Sequence, residues 1–171
     1  KDNQIDFLQE AMNIGDKILK HAIICDETKT ISWLTINNHH DKNLGIGPIS
    51  GEFYDGLAGI SLFYHYLYKK SHNIEYKKIR DYAFNMAKVK ALSLKYDSGL
   101  TGYASLLYTA HKIVQDEPRK QYKDVINEVF KYIDESKVVT AKYNWLHGTA
   151  SIIHVLLNLY EDSRDMAYLT K

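Results

Sequence analysis

The fold of this 171-residue chain is decided by the stretch Phe53-Tyr54-Asp55-Gly56-Leu57-Ala58-Gly59-Ile60-Ser61-Leu62-Phe63. Its small-residue opening, Gly56-Leu57-Ala58-Gly59, has two further versions, Gly99-Leu100-Thr101-Gly102 and Gly148-Thr149-Ala150-Ser151, and each is followed by an apolar run. The openings start 43 and 49 residues apart, which is the length of a two-helix hairpin. This spacing predicts a helical repeat protein whose hairpins stack side by side.

The glycine-led helices differ in composition from the helices that follow them. Those predicted over residues 56–68 and 99–114 carry little charge, so we expect them to be buried nearly all round. Their partners over residues 75–92 and 119–133 have one apolar face and carry lysines on the other. When buried and amphipathic helices alternate, a double ring buries the apolar ones inside. The sequence therefore predicts an all-α fold, a partial α/α toroid of about three repeats.

We expect one fragment of a single domain, because the chain begins without methionine and stops soon after the third opening. Its predicted parts are an entry segment over residues 1–53 and hairpin repeats over 54–97, 98–141 and 142–171, the last one truncated. The entry segment contains a helix predicted over residues 5–22 by apolar residues at three- and four-residue steps. Residues 28–53 lose that period and are expected to form a loop.

The composition excludes several classes of function. A net charge of +1, with 45% hydrophobic and 25% charged residues, is ordinary for a soluble globular chain. Lysines are spread out and balanced by acids, so no basic stripe is available for nucleic acid. The longest apolar stretch, residues 152–160, is too short for a membrane span. The N-terminal residues do not resemble a signal peptide, and Cys25 is expected to be a lone buried thiol, so a cytoplasmic location is the default expectation.

The openings have two interpretations. If they converge, their glycines expose backbone N–H groups toward a shared cavity, which favours anions or thiolates there. The candidate cavity-lining residues are then Gly56, Gly59, Gly99, Gly102 and Gly148. The alternative is that each glycine pair only permits close helix packing. Three copies in phase weaken that alternative, although it is the more common explanation for any one copy.

These stretches resemble a known family, the cyclase domain of type 2 lanthionine synthetases (the LanM enzymes), which is related to the stand-alone LanC cyclases. The stretch over residues 53–63 is similar to the family's first inner helix, and the segments 14–16 and 32–34 accompany it. Residues 98–102 and 145–150 are similar to the second and third inner helices. The resemblance implies that the chain supplies the N-terminal part of a toroid of seven inner and seven outer helices.

The resemblance also implies a reaction. Cysteine thiols of a precursor peptide add to dehydroalanine or dehydrobutyrine and close the thioether rings of lanthipeptides. A zinc ion activates the thiol in that family, and its two cysteine ligands and one histidine lie in Trp-Cys-x-Gly and Cys-His-Gly segments that this sequence lacks. We therefore expect the fragment alone to hold no zinc and to be inactive. The implied partners are the precursor peptide and the rest of the synthetase, including a dehydratase domain.

Two polar residues beside the third opening are catalytic candidates. The resemblance places an acidic cavity residue four positions before the third-opening glycine, and Asn144 stands there. An asparagine can orient a neighbour but does not exchange a proton, and a helix cap is an equally open interpretation of Asn144. His147 could serve as a base or a polar contact. Asp55 is expected to cap the first inner helix rather than act as an acid.

The other histidines have simpler interpretations. We expect His65 and His111 to be core or rim residues, His39 and His40 to lie in an exposed loop, and His154 to be satisfied separately from His147. Two other classes of function stay open. One is a non-catalytic helical-repeat module that binds a peptide. The other is part of an α/α toroid glycosidase, which needs a carboxylate pair that the openings do not show.

Overall fold

The computed structural model describes residues 6–38, 44–91, 98–135 and 144–170; the expected loop histidines at 39 and 40 lie outside these ranges. Within them, six α-helices form the framework, which confirms the all-α class. In chain order the elements are α1 Phe7–Leu19, β1 Ile23–Cys25, β2 Thr30–Ser32, β3 Leu34–Asn38, β4 Leu44–Pro48, α2 Leu57–Ser71, α3 Ile74–Ala91, α4 Ser105–Asp116, α5 Lys120–Glu135, α6 Thr149–Ser163 and a 3-10 helix Met166–Leu169.

Strands occupy much of the segment that was expected to be a loop. β1 pairs with β2, and β3 pairs with β4, as two separate antiparallel hairpins. Ile31 and Trp33 fix this segment to the helices because both side chains are buried, and Trp33 Nε1 donates to the Ile18 carbonyl of α1 at 2.8 Å. The strands are three to five residues long, too short for a clear period of two in the sequence.

Helices α2 and α3 pack as one hairpin, and α4 and α5 pack as the next. The glycine-led helices also contact one another in chain order, α2 with α4 and α4 with α6. The buried core follows these contacts, and α4 is buried from Ser105 through Leu107. In the described part of the chain, no helix has the length and apolar character needed to cross a bilayer.

The structural repeat is 46 residues long. Gly56 and Gly148 are equivalent extended N-caps, and the helices that they begin, α2 and α6, each have 15 residues and end at a left-handed residue. Because 92 residues separate these two caps, one repeat spans 46 residues, and Gly102 is the position equivalent to Gly56. The alignment of the second opening on Gly99, and with it the spacing of 43 and 49, is therefore wrong by three residues.

The second glycine-led helix begins later than the sequence predicts. α4 starts at Ser105, and the residues from Gly99 to its start form turns. The Oγ atom of Ser98 accepts hydrogen bonds from the backbone N–H groups of Leu100 and Thr101, both at 3.3 Å. A serine cap of this kind stabilises a turn in competition with a helix, which explains the late start.

The first glycine-led helix is capped by backbone, not by Asp55. Its N-cap is Gly56, and no side chain accepts a hydrogen bond from its first turn. Instead, the carbonyl oxygens of Ser50 and Glu52 accept the first two helical N–H groups, at 3.0 and 3.2 Å. The expectation that Asp55 caps this helix is wrong because the preceding loop folds back over the helix end.

Candidate functional site

The three helix openings touch one another. The carbonyl oxygen of Leu100, in the second opening, accepts hydrogen bonds from the N–H groups of Phe53 and Tyr54 beside the first, both at 3.0 Å. The second opening reaches the third through the Gly99 N–H, which donates to Ser151 Oγ at 2.8 Å. Successive openings therefore lie side by side, as convergence of the inner helices requires.

Three of the candidate glycines stand where a side chain would not fit. A Cβ at Gly59 would overlap the carbonyl oxygen of Phe53, and a Cβ at Gly99 would overlap that of Ser151. A Cβ at Gly56 would come within 2.5 Å of the backbone of the loop before it. At these positions glycine permits a close approach of backbone to backbone, which supports the packing interpretation.

Under the cavity interpretation, the backbone N–H groups of the openings point into a shared cavity. In the structure, some of these N–H groups instead bind partners within the chain. The Gly99 N–H is bound by Ser151, and the Gly102 N–H donates to the Ser98 carbonyl at 3.3 Å. Gly148 is itself buried at the start of α6. The expectation of exposed N–H groups that favour anions is therefore wrong at Gly99 and Gly102, because neighbouring serines accept from them.

A polar cluster joins the second opening to the third. The Thr101 hydroxyl donates to the Leu146 carbonyl at 3.0 Å, and its oxygen lies 3.0 Å from Nδ1 of His147. Because the hydroxyl proton goes to the carbonyl, the Thr101 oxygen is available to accept from Nδ1–H of His147, which favours the tautomer with its lone pair on Nε2. His147 as a whole residue is exposed.

Asn144 is a cap for the turn that carries His147. Its Oδ1 atom accepts a hydrogen bond from the His147 N–H at 2.7 Å, and its side chain is exposed. Ser98 is the equivalent residue one repeat earlier, and it caps its own turn in the same manner. The geometry thus supports the cap interpretation of Asn144, through which this residue orients the backbone of His147.

A cavity of about 240 Å³ opens beside this cluster. Residues of the second and third openings line it, together with Phe53 beside the first opening and side chains of α4 and α6: Phe53, Leu100, Tyr108, Trp145, Ser151, His154 and Val155. Trp145 is 53% exposed, and its ring centroid lies 4.9 Å from that of His154. A wall rich in aromatic rings suits an apolar or aromatic side chain of a peptide.

His147 and His154 do not act as a pair. His154 contacts the Trp145 ring and lies 3.2 Å from the side-chain amide of Asn158, whereas His147 contacts Thr101. Their separate partners agree with the expectation that each histidine is satisfied on its own. The aromatic contact of His154 was not visible in the sequence because Trp145 is nine residues away, in the turn before α6.

Two buried histidines form a second feature, which sequence reasoning missed. His65 and His111 are core residues, as expected, but each also contacts a carboxylate on the next glycine-led helix. His65 Nε2 lies 2.8 Å from Asp116 Oδ2. His111 Nε2 lies 2.5 Å from Asp162 Oδ2. Burial lowers the pKa of both imidazoles, although the carboxylates oppose that shift. The rings are therefore neutral at pH 7 and donate through Nε2–H.

The side chains that the structure describes do not fit a zinc site. In residues 6–38, 44–91, 98–135 and 144–170, no three or more His, Cys, Asp or Glu side chains are grouped so as to hold a metal ion. Cys25 is exposed at the end of β1, so the expectation of a buried thiol is wrong. Hydrogen bonding by Thr28 lowers the pKa of its thiol.

A family model described as lanthionine synthetase C-like protein matches residues 47–171, which is most of the chain. The matched range contains all three openings, the polar cluster and the aromatic cavity. No curated protein matches the chain.

Proposed function

The chain belongs to the lanthionine synthetase C-like family, and from this premise we propose that it is part of a cyclase domain that closes thioether rings in lanthipeptides. A cysteine thiol of the precursor peptide adds to dehydroalanine or dehydrobutyrine. One bond forms between Sγ and Cβ of the dehydro residue, the carbon–carbon π bond breaks, and a proton replaces the one lost from sulfur by adding to Cα. The addition needs no oxidant and has no leaving group.

The observation that carries this proposal is that three successive helix openings share hydrogen bonds inside the range matched by the family model. Trp145 on the wall of the aromatic cavity lies two residues before the exposed His147. We assign His147 the role of accepting or returning a proton through Nε2, and Asn144 the role of holding the His147 backbone. None of the described residues forms a group that would hold the zinc ion that the resemblance implies.

The aromatic cavity beside Trp145 is our candidate contact for the precursor peptide. A volume of about 240 Å³ accommodates one large apolar side chain. The peptide chain would then run past the exposed His147. A dehydratase domain remains the proposed partner that supplies the dehydro residues.

The test measures the fraction of peptide that retains a free cysteine thiol, because thioether formation leaves the mass of the peptide unchanged. The protein in its full natural length is incubated with a peptide that contains one cysteine and one dehydroalanine, and the remaining thiol is alkylated and counted by mass spectrometry. We expect the thiol to disappear faster than in the peptide alone, and to persist when alanine replaces dehydroalanine. Equal rates with and without the protein would overturn the proposal.

A non-catalytic peptide-binding module is the second candidate function. The exposed Trp145 beside the aromatic cavity favours it, because such side chains are common anchors for peptides. The same peptide with a fluorescent label separates the two functions. Saturable binding without any loss of thiol would indicate a binding module.

A further inference from the structure

The junction between α2 and α4, which we name the first junction, is filled by a buried guanidinium. Arg80 of α3 is fully buried, and its Nη1 atom lies 3.3 Å from Nδ1 of His65 and donates to Glu117 Oε1 at 2.8 Å. Its Nε donates to Asp81 Oδ1 at 2.7 Å, and the ring of Tyr122 lies 5.8 Å from its Cζ. A planar cation is thus held here by acceptors and an aromatic ring.

The second junction, between α4 and α6, has the same framework without the guanidinium. The residue 46 positions after Arg80 is Ile126, and the residue 46 positions after His65 is His111. His111 is 4% exposed, and within the described residues its Nδ1 atom is buried without a hydrogen-bond partner. A cavity of about 570 Å³ opens at this junction, and its walls include His111, Gln115, Ile126, Asn127, Asp162 and Tyr168.

The second junction repeats the histidine, the carboxylate that contacts it and the aromatic pair of the first. It does not repeat the two acids that bind Arg80, because Asn127 and Ser163 stand 46 positions after Asp81 and Glu117 and are neutral acceptors. Lys69 holds Asp116 in the first junction, and Gln115 holds Asp162 at the equivalent place in the second. An edge-to-face pair with ring centroids 4.7 Å apart flanks each junction, Phe84 with Tyr122 and Phe130 with Tyr168. The cavity therefore lies where the equivalent junction contains a charged, hydrogen-bonded group.

The cavity wall offers acceptors for such a group. Asp162 contacts both His111 and Gln115 through Oδ2, so a ligand would bind to the other carboxylate oxygen, Oδ1. The Asp162 side chain is 48% exposed. Hydrogen bonds from His111 and Gln115 lower the pKa of Asp162, which keeps it ionised at neutral pH. The neutral His111 donates through Nε2, so its Nδ1 is an acceptor.

A lysine on the cavity wall does not argue against a cationic ligand. Lys123 lines the second cavity, and its equivalent in the first junction is Lys77, 46 residues earlier. Lys77 lies 3.6 Å from Glu117, the same carboxylate that binds Arg80. The equivalent of Glu117 is Ser163, so this pairing is not repeated, but Lys123 is exposed and its ammonium can extend into solvent.

We propose that the second junction is a binding site for a guanidinium group, which enters the cavity at the place that Arg80 occupies in the first junction. The group donates to Asp162 Oδ1 and to His111 Nδ1 and stacks on the Tyr168 ring. An ammonium is a poorer ligand because it is not planar and is more strongly hydrated. The guanidinium belongs to a free small molecule or to an arginine side chain of a peptide, and the site does not depend on cyclase activity.

The test titrates the chain with methylguanidinium chloride at constant ionic strength and follows the NMR signals of His111 and Tyr168. We expect saturable shifts, with methylammonium chloride binding about tenfold more weakly as the matched control. Comparison of N-acetylarginine amide with N-acetyllysine amide then identifies the source. Binding of the arginine derivative indicates a peptide side chain, and its exclusion while methylguanidinium binds indicates a free ligand. The absence of saturable shifts with both compounds would overturn the proposal.

Variants locate the site. Asp162→Asn removes the charge at nearly constant size, so we expect methylguanidinium to bind about tenfold more weakly. Asp116→Asn makes the same change in the first junction and should leave the affinity unaltered. Ile126→Arg supplies a guanidinium from the chain itself and should prevent binding, provided that circular dichroism shows a folded protein. Unchanged affinity in a folded Asp162→Asn protein contradicts the assignment, whatever the outcome for Ile126→Arg.

Discussion

Thr101 and His147 occupy equivalent positions in successive repeats, 46 residues apart, and their side chains meet with Oγ1 and Nδ1 3.0 Å apart. The hydroxyl sets the tautomer of the imidazole because it donates to the Leu146 carbonyl and accepts from Nδ1. A contact between two equivalent residues thus favours a lone pair on Nε2, the nitrogen that we propose exchanges the proton.

Thr101→Val should remove the hydrogen bond that favours this tautomer of His147. We expect a loss of about 1 kcal/mol of unfolding free energy and a larger share of Nδ1-deprotonated His147 in its nitrogen NMR signals. Thr109→Val is the matched control, because the buried Thr109 hydroxyl donates to the Ala58 carbonyl at 3.2 Å, in α2. It should cost similar stability and leave the His147 signals unchanged. Identical signals in both variants would contradict the role of Thr101.

Gly59→Ala should destabilise the protein by about 2 kcal/mol, because the added Cβ meets the rigid backbone at Phe53. Gly15→Ala is the control within another helix, where the new Cβ would lie 2.7 Å from the flexible end of Leu67. Helix propensity favours alanine in both helices by about 1 kcal/mol, so Gly15→Ala should be near neutral. Denaturant unfolding measures both, and equal stabilities would refute the close-packing explanation.

Arg80→Met should cost about 3–5 kcal/mol, because the substitution leaves Asp81 and Glu117 without the buried cation between them. Arg119 contacts the same two carboxylates, at 3.4 and 3.1 Å, but its side chain is 40% exposed. Arg119→Met should therefore cost less than about 1 kcal/mol. Urea denaturation compares the two variants, and a similar loss in both would show that burial of Arg80 does not matter.

Stability should fall as the pH falls below about 6.5, the ordinary pKa of histidine. Burial lowers the pKa of His65 and His111 in the folded state, so the unfolded chain binds more protons in this range. The stabilisation is fully present above the unfolded pKa and is lost as the pH drops through it toward the folded pKa. His65→Gln should flatten the slope of unfolding free energy between pH 7 and 5, measured by denaturant titration at each pH. An unchanged slope in this variant would contradict the prediction.

Asn144→Asp should raise the rate of thiol consumption in the cyclisation assay, if the proposed function holds. The carboxylate keeps the acceptor for the His147 N–H and adds a charge beside the imidazole. Asn144→Ser installs the residue of the equivalent cap, Ser98, without charge and should leave the rate near that of the natural protein. A common rate for both variants would show that an acid at this position contributes nothing to the reaction.

The sequence predicted the helices because their signals are local. Glycine before an apolar run marks the start of α2 and α6, and one apolar face marks α3 and α5. It misplaced the second opening because two glycines compete there, Gly99 and Gly102, and the turn capped by Ser98 delays the start of α4 to Ser105. The His65–Asp116 contact was out of reach because its partners are 51 residues apart, on helices whose adjacency no local pattern reveals.

The constant 46-residue stride has a consequence for protein engineering. Gly56 and Gly102 are equivalent positions, so excision of residues 57–102 would remove one repeat. The deletion would join Gly56 to Tyr103, the residue that follows Gly102 in the natural chain. Segments of 46 residues could be removed, duplicated or exchanged in the same way. Each resulting chain would have equivalent residues on both sides of the new peptide bond.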